Sequence, residues 1–340
     1  MKKNELPIEQ IEKINFAVRK GLGTNNWELM SLLSGGLTGI PVYRIIVENK
    51  SYAIKLEDVN DKDFDLQRSY KILETVSSQG IAPLVYFTDA DQGIVLMKYI
   101  ESKPRPEASP ETIQKFSSLI RELHAKNSFP KWKSVIEILE LVYQRLTLEY
   151  KKSKLIKESM HEINKMINVL FDQNDIRSCH CDLNPVNILF DGEKYFFVDW
   201  QAASPQSFYF DLAYCSNWFY FYNEDLCALF LKSYFGREVT EEENAKYYLM
   251  RIFTYIYLGI GFISLPFKEN QNIPILSDEN IEKLPSYLKF MQSLGSGVVD
   301  LENADVQQQF GFIFLKTAIK MMDQRYKHAY EFLLNKKTIN

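Results

Sequence analysis

The sequence predicts an α+β chain of two lobes, a small antiparallel β-rich lobe over residues 1–100 and a larger, mostly helical lobe over residues 101–340. Three observations predict this. The first hundred residues alternate short strand-like runs with turn residues and contain two helical stretches. Glu101 to Pro110 holds three prolines and reads as a connector. Beyond it the apolar spacing is helical, apart from one insert between Ser178 and Val198.

Taken in order, Pro7 to Lys20 has helical periodicity. Glu28 to Leu33 and Val42 to Val47 are strand-like and flank a glycine-rich turn, Ser34-Gly35-Gly36-Leu37-Thr38-Gly39. The turn Glu48-Asn49-Lys50 leads into Ser51 to Leu56, a β-rich run. Phe64 to Ser78 is expected as a helix with Leu66, Tyr70 and Leu73 on one stripe. Leu84 to Thr88 and Ile94 to Ile100 read as strands on either side of Asp89-Ala90-Asp91-Gln92-Gly93. Ser109 before Pro110 supplies an N-cap followed by proline at the first helical position. Within the insert, Asp191-Gly192-Glu193-Lys194 joins Asn187 to Phe190 with Tyr195 to Val198 as a hairpin.

Composition bounds the function. Hydrophobic residues make up 46% and charged residues 25%, the balance of a globular protein rather than a disordered one. Net charge is −4, from 40 basic against 44 acidic residues, which argues against nucleic acid as a partner. No secretory signal is read in the first residues. The most apolar window, Ile252 to Phe267, is shorter than the roughly 20 residues a bilayer needs and is expected as a buried helix. Cys179, Cys181, Cys215 and Cys227 form no C-x-x-C pair, so a reducing, cytoplasmic setting with no membrane association is expected. Cys179, His180 and Cys181 are not read as a zinc site, because adjacent residues on an extended segment point to opposite faces.

The strongest signal is His180-Cys181-Asp182-Leu183-Asn184-Pro185-Val186-Asn187, followed twelve residues later by Asp199-Trp200. Asp, Asn and Pro are common turn formers, so a lone D-x-x-x-x-N means little. The whole pattern, with an apolar hairpin between its ends, is far less common by chance and suits phosphoryl transfer. That chemistry needs a carboxylate to orient the attacking hydroxyl and accept its proton, which Asp182 can supply. It also needs oxygen ligands for Mg²⁺, which Asn187 and Asp199 can supply.

This pattern resembles the aminoglycoside phosphotransferase and choline kinase superfamily of small-molecule kinases. The likeness continues through Ser34 to Thr38, Ala53-Ile54-Lys55, Gly80-Ile81-Ala82-Pro83, Leu123-His124 and Asp211-Leu212-Ala213. It implies a two-lobed protein-kinase-like fold that binds ATP in the cleft and phosphorylates a small hydroxyl-bearing acceptor. It implies Lys55 as the nucleotide lysine, in keeping with the cost of a lysine within an otherwise apolar strand that lacks an anion. Gly35, Gly36 and Thr38 are implied at the phosphates, where glycine lets backbone N–H groups approach closely. The carbonyl of Lys98 and the N–H of Ile100 are implied at adenine. His180 is implied as a structural histidine of the catalytic loop and Asp211 as the acid that braces it.

Two departures stand out. Many relatives carry D-x-E at the metal-binding aspartate, whereas Gln201 stands here. Relatives also place a glutamate in the small-lobe helix as the lysine's partner, where this chain has Arg68-Ser69. Asp65 is the expected substitute, with Glu74 as runner-up. If neither reaches Lys55, a slow enzyme or a nucleotide-binding pseudokinase is the alternative. The acceptor region is rich in aromatic residues, and Trp218, Tyr222 and the Glu224-Asp225 pair are the candidates for a cationic pocket. Choline or a similar amino alcohol is expected, with aminoglycosides, thiamine or a sugar as alternatives. A protein kinase is disfavoured by D-W in place of D-F-G and by the lack of an A-P-E segment.

Overall fold

A computed structural model describes residues 5–33, 39–268, 271 and 273–339. The strand-like runs become β1 (Glu28–Leu33), β2 (Val42–Val47), β3 (Lys50–Leu56), β4 (Val85–Asp89) and β5 (Ile94–Lys98). They form an antiparallel sheet in the order β1-β2-β3-β5-β4. Side-chain alternation decides what each face carries. Tyr43, Ile45 and Val47 of β2, Ile54 and Leu56 of β3, and Ile94 and Leu96 of β5 join one core with Ile14, Ala17 and Val18 of α1 (Ile8–Leu22). Complete burial of a side chain such as Ile54 is worth about 1.5–3 kcal/mol. Alternate residues, Lys55 among them, therefore lie on the other face.

Helix α2 (Leu66–Ser78) begins two residues later than Phe64, because the Asp65 side chain accepts the Arg68 N–H and caps it. Helix α3 (Pro110–Lys126) starts where Ser109-Pro110 indicated, with a reciprocal cap between Ser109 and Thr112. The described residues up to Pro130, together with Asp182–Ala203, form one compact unit.

A second unit comprises Lys131–Cys181 and the described residues from Ser204 onward. It contains α4 (Val135–Arg145), α5 (Leu148–Lys152), α6 (Lys154–Leu170) and β6 (Ile176–Cys179). The chain returns to it as β9 (Ser204–Ser207) after β7 (Ile188–Phe190) and β8 (Tyr195–Phe197), which form the hairpin of the first unit. β9 pairs with β6. Then come α7 (Phe208–Phe219), α8 (Glu224–Phe235), α9 (Glu241–Lys268), α10 (Asp278–Lys283), α11 (Tyr287–Gly295), α12 (Ala304–Met321) and α13 (Gln324–Ile339). Helix α9, the apolar window of the sequence, is long and apolar enough to cross a membrane, yet it is mostly buried within its own unit. It packs closely on α12 at Gly259 and Gly311, where an added Cβ at either glycine would meet backbone of the other helix within 3.0 Å.

Candidate functional site

Lys55 lies on the face of β3 turned away from α1, and Glu57 follows directly after the strand, two residues on in extended chain, so that both side chains turn the same way. The Lys55 Nζ donates to Glu57 Oε1 at 2.8 Å and to Asp199 Oδ1 at 3.0 Å. Burial opposes its charge, but the Asp199 and Glu57 carboxylates outweigh that and raise its pKa, so the group is held as an ammonium. Lys55, Glu57, Tyr70, Met97, Asp199 and Gln201 line one cavity. Burial, then the Glu57 charge, raise the pKa of the Tyr70 hydroxyl.

The lysine's partner differs from the one expected. Asp65 is committed to capping α2, and Glu74 is exposed and accepts from the Thr88 hydroxyl. Glu57, only 4% exposed, takes the place meant for them. The sequence does carry its signal: Lys-x-Glu in extended chain puts both side chains on one side. Gln201 is buried, and its amide nitrogen donates to Glu57 Oε1.

Asp182 sits in a loop held by its own polar side chains. Asn187 Nδ2 donates to Asp182 Oδ2 at 2.8 Å and to the Asp182 carbonyl at 3.0 Å, while Asn184 Nδ2 donates to Asp182 Oδ1 at 3.0 Å. The Asn184 side chain also accepts the N–H groups of Val186 and Asn187. Arg105 of the proline-rich connector donates to the carbonyls of Pro185 and Ile188. The hairpin register continues as a bond from the Val198 N–H to the Asn187 carbonyl, so Asn187, just before β7, and Asp199, just after β8, are held at the same end of the hairpin. Lys55, Asp182, Asn187 and Asp199 thus belong to one compact unit although 144 positions separate the first from the last.

In the second unit, Asp211 is fully buried at the start of α7. Its two carboxylate oxygens accept the N–H groups of His180 and Cys181, each at 2.8 Å. Trp218 packs edge-on against Phe310 and Phe314 and is buried, whereas Tyr222 and Asp225 are exposed. Glu224 is committed to Arg251 and Arg325. Most of the remaining aromatic side chains of α7 are core.

At the end of β5, Lys98 is exposed and Ile100 is buried. Gly35, Gly36 and Thr38 lie outside the described residues. Gly39, just after them, has φ +65°, a conformation that favours glycine.

Comparison with known proteins gives this geometry a family. Residues 32–243 match the phosphotransferase enzyme family. A LicA homolog of Mycoplasma capricolum is 27% identical over 174 residues, which cover 49% of this chain and 67% of that protein. A choline/ethanolamine kinase family protein from Mesorhizobium loti superposes with TM-score 0.64 at 16% identity, over 90% of this chain and 92% of that one. Choline kinase LicA from Streptococcus pneumoniae does so with TM-score 0.60 at 20% identity, over 85% and 99%. The shared fold is that of kinases, and with most of its length matched the chain belongs to the phosphotransferase enzyme family, as a small-molecule kinase.

Proposed function

We propose that this kinase moves the γ-phosphoryl group of ATP to the hydroxyl of choline or a similar amino alcohol. The observation that carries the reading is the contact of Lys55 with Asp199 in the unit that also holds the bonded pair Asp182 and Asn187. These are the parts that phosphoryl transfer requires: a phosphate-binding cation, a base and oxygen ligands for a metal. The names of the relatives favour choline or ethanolamine, and exposed Tyr222 and Asp225 offer an aromatic face and a charge suited to a small cation. Trp218, enclosed by Phe310 and Phe314, serves the packing of that region. The four cysteines, all buried and none in a disulfide, suit work in the cytoplasm.

In this mechanism the Asp182 carboxylate, steadied by Asn184 and Asn187, orients the acceptor O–H and takes its proton. The acceptor oxygen bonds to the γ-phosphorus in line, and the bond from that phosphorus to the β-phosphate oxygen breaks, releasing ADP. Lys55 binds the phosphate oxygens, and the backbone at Lys98 and Ile100 receives adenine. The donor set fits magnesium: a carboxylate at Asp199 and an amide oxygen at Asn187, whose nitrogen is engaged by Asp182. When bound, magnesium would neutralise charge on the phosphates. Gly35, Gly36 and Thr38 complete the phosphate cradle in this proposal.

The test is an ATP-consumption screen over choline, ethanolamine, thiamine, amino alcohols and aminoglycosides, with the phosphorylated product identified by phosphorus NMR. Turnover with a small amino alcohol is expected. Turnover confined to aminoglycosides would overturn the substrate, and nucleotide binding with no transfer to any alcohol would overturn the reaction.

A further inference from the structure

We propose that Glu57 and Gln201 form one positioning unit for Lys55, in which the carboxylate anchors the ammonium and the amide braces the carboxylate instead of serving a metal ion. The inference rests on the reading of Lys55 as the nucleotide lysine.

Helix α2 offers no carboxylate to do this work. Asp65 is its cap, Glu74 is exposed, and at the expected position the Ser69 hydroxyl donates back to the Leu66 carbonyl. Arg68, beside it, is buried and donates to the carbonyls of Gln201 and Ala203. The helix therefore fixes the backbone that carries Gln201, and Gln201 in turn meets Glu57.

The two partners of Lys55 differ in enclosure. The Glu57 side chain is 2% exposed and that of Asp199 is 28% exposed. Glu57 is thus the partner that protein surrounds, and Asp199 the one open to a ligand. An ammonium held by Glu57 stays in place when Asp199 turns to another cation.

This arrangement also suits glutamine at position 201. Glu57 needs a donor from residue 201, and an ionised carboxylate has none. Glutamate at 201 would set a second negative charge against a buried one, which is costly. The acid that follows β3 and the amide at 201 are thus complementary partners.

The test compares Glu57→Gln, Gln201→Glu, Gln201→Ala and the exchange E57Q/Q201E in the full chain. ADP affinity is measured by calorimetry in EDTA, so that no metal contributes, alongside the KM values for ATP and acceptor. Each single variant is expected to weaken ADP binding about tenfold and raise the KM for ATP while the acceptor KM holds. The exchange, which restores one acid and one amide, is expected to be at least about threefold better than the product of its single effects. Q201A reports loss of the brace without added charge, should Q201E fold poorly. ADP affinities within about twofold of wild type in the folded single variants would overturn the proposal. So would a lower magnesium requirement in Q201E, which would make residue 201 a metal position. A wild-type protein that binds ADP but phosphorylates no alcohol would refute the functional reading, while the ADP series would still judge this one.

Discussion

Asp211→Ala tests how the loop that carries the proposed base is held. The carboxylate accepts two buried N–H groups, from His180 and Cys181, at 2.8 Å each. Cys181 has φ +66°, a conformation that costs a non-glycine residue of order 1–3 kcal/mol and persists only if its surroundings enforce it. Removing the acceptor leaves two donors unsatisfied, at about 1–3 kcal/mol each, so local opening should become easier by at least about 2 kcal/mol. At roughly 1.4 kcal/mol per decade, that is about a thirtyfold faster amide exchange at residues 180 and 181. Hydrogen exchange read by mass spectrometry on the 176–184 peptide measures it, and kcat should fall with it because Asp182 follows directly in the chain. Exchange within about threefold of wild type would show that other contacts hold the loop and refute the argument.

Other outcomes follow from the same geometry. Asp182→Ala should lose at least about a hundredfold in kcat while calorimetry finds ATP affinity nearly unchanged, since a general base acts on the transfer step. Chelation of magnesium should abolish transfer, and titrating the ion back should restore it, more weakly in Asn187→Ala, as initial rates will report. Acid should act through Glu224: burial favours its neutral form, but Arg251 and Arg325 outweigh that and hold its carboxyl below the usual value. Its folded pKa is depressed, so its contribution to stability is present above the unfolded value, near 4.5, and is lost as pH falls through the folded one. Urea midpoints should therefore favour wild type over Glu224→Gln at pH 7, with the gap closing as pH falls below the unfolded value and through the depressed folded one.

The sequence made some elements legible because their causes are local. β-branched and aromatic residues in Val42 to Val47 and the β-rich run Ser51 to Leu56 mark two strands, and the observed β2 and β3 differ from these bounds by one residue at most. Ser109-Pro110 carries its own cap chemistry. β9 was illegible for the opposite reason. Ser-Pro-Gln-Ser has no β-branched or aromatic residue, and it is a strand only because Ile176–Cys179 pairs with it. The partner of Lys55 lay between these cases. Lys-x-Glu in extended chain implies a shared side, but such a charged pair is common at surfaces. Only long-range contacts, with Arg68 holding the Gln201 carbonyl and the Gln201 amide reaching the buried Glu57, distinguish this one.

Backbone strain falls on two of the residues that frame the proposed chemistry. Among the described non-glycine residues with positive φ, Glu48 and Asn49 form the turn between β2 and β3, while Cys181 precedes Asp182 and Asp199 follows β8. The first pair makes a hairpin turn, where such angles belong. The second pair has no such local excuse, and each member is pinned by a charged contact from far along the chain: Asp211 on the Cys181 amide, Lys55 on the Asp199 carboxylate. Contacts of this kind form only in the folded chain, so they can hold conformations that local sequence disfavours. The strain is thus a reason to read these long-range bonds as parts of the site: without them, the chain would relax at the two points where it must present carboxylates.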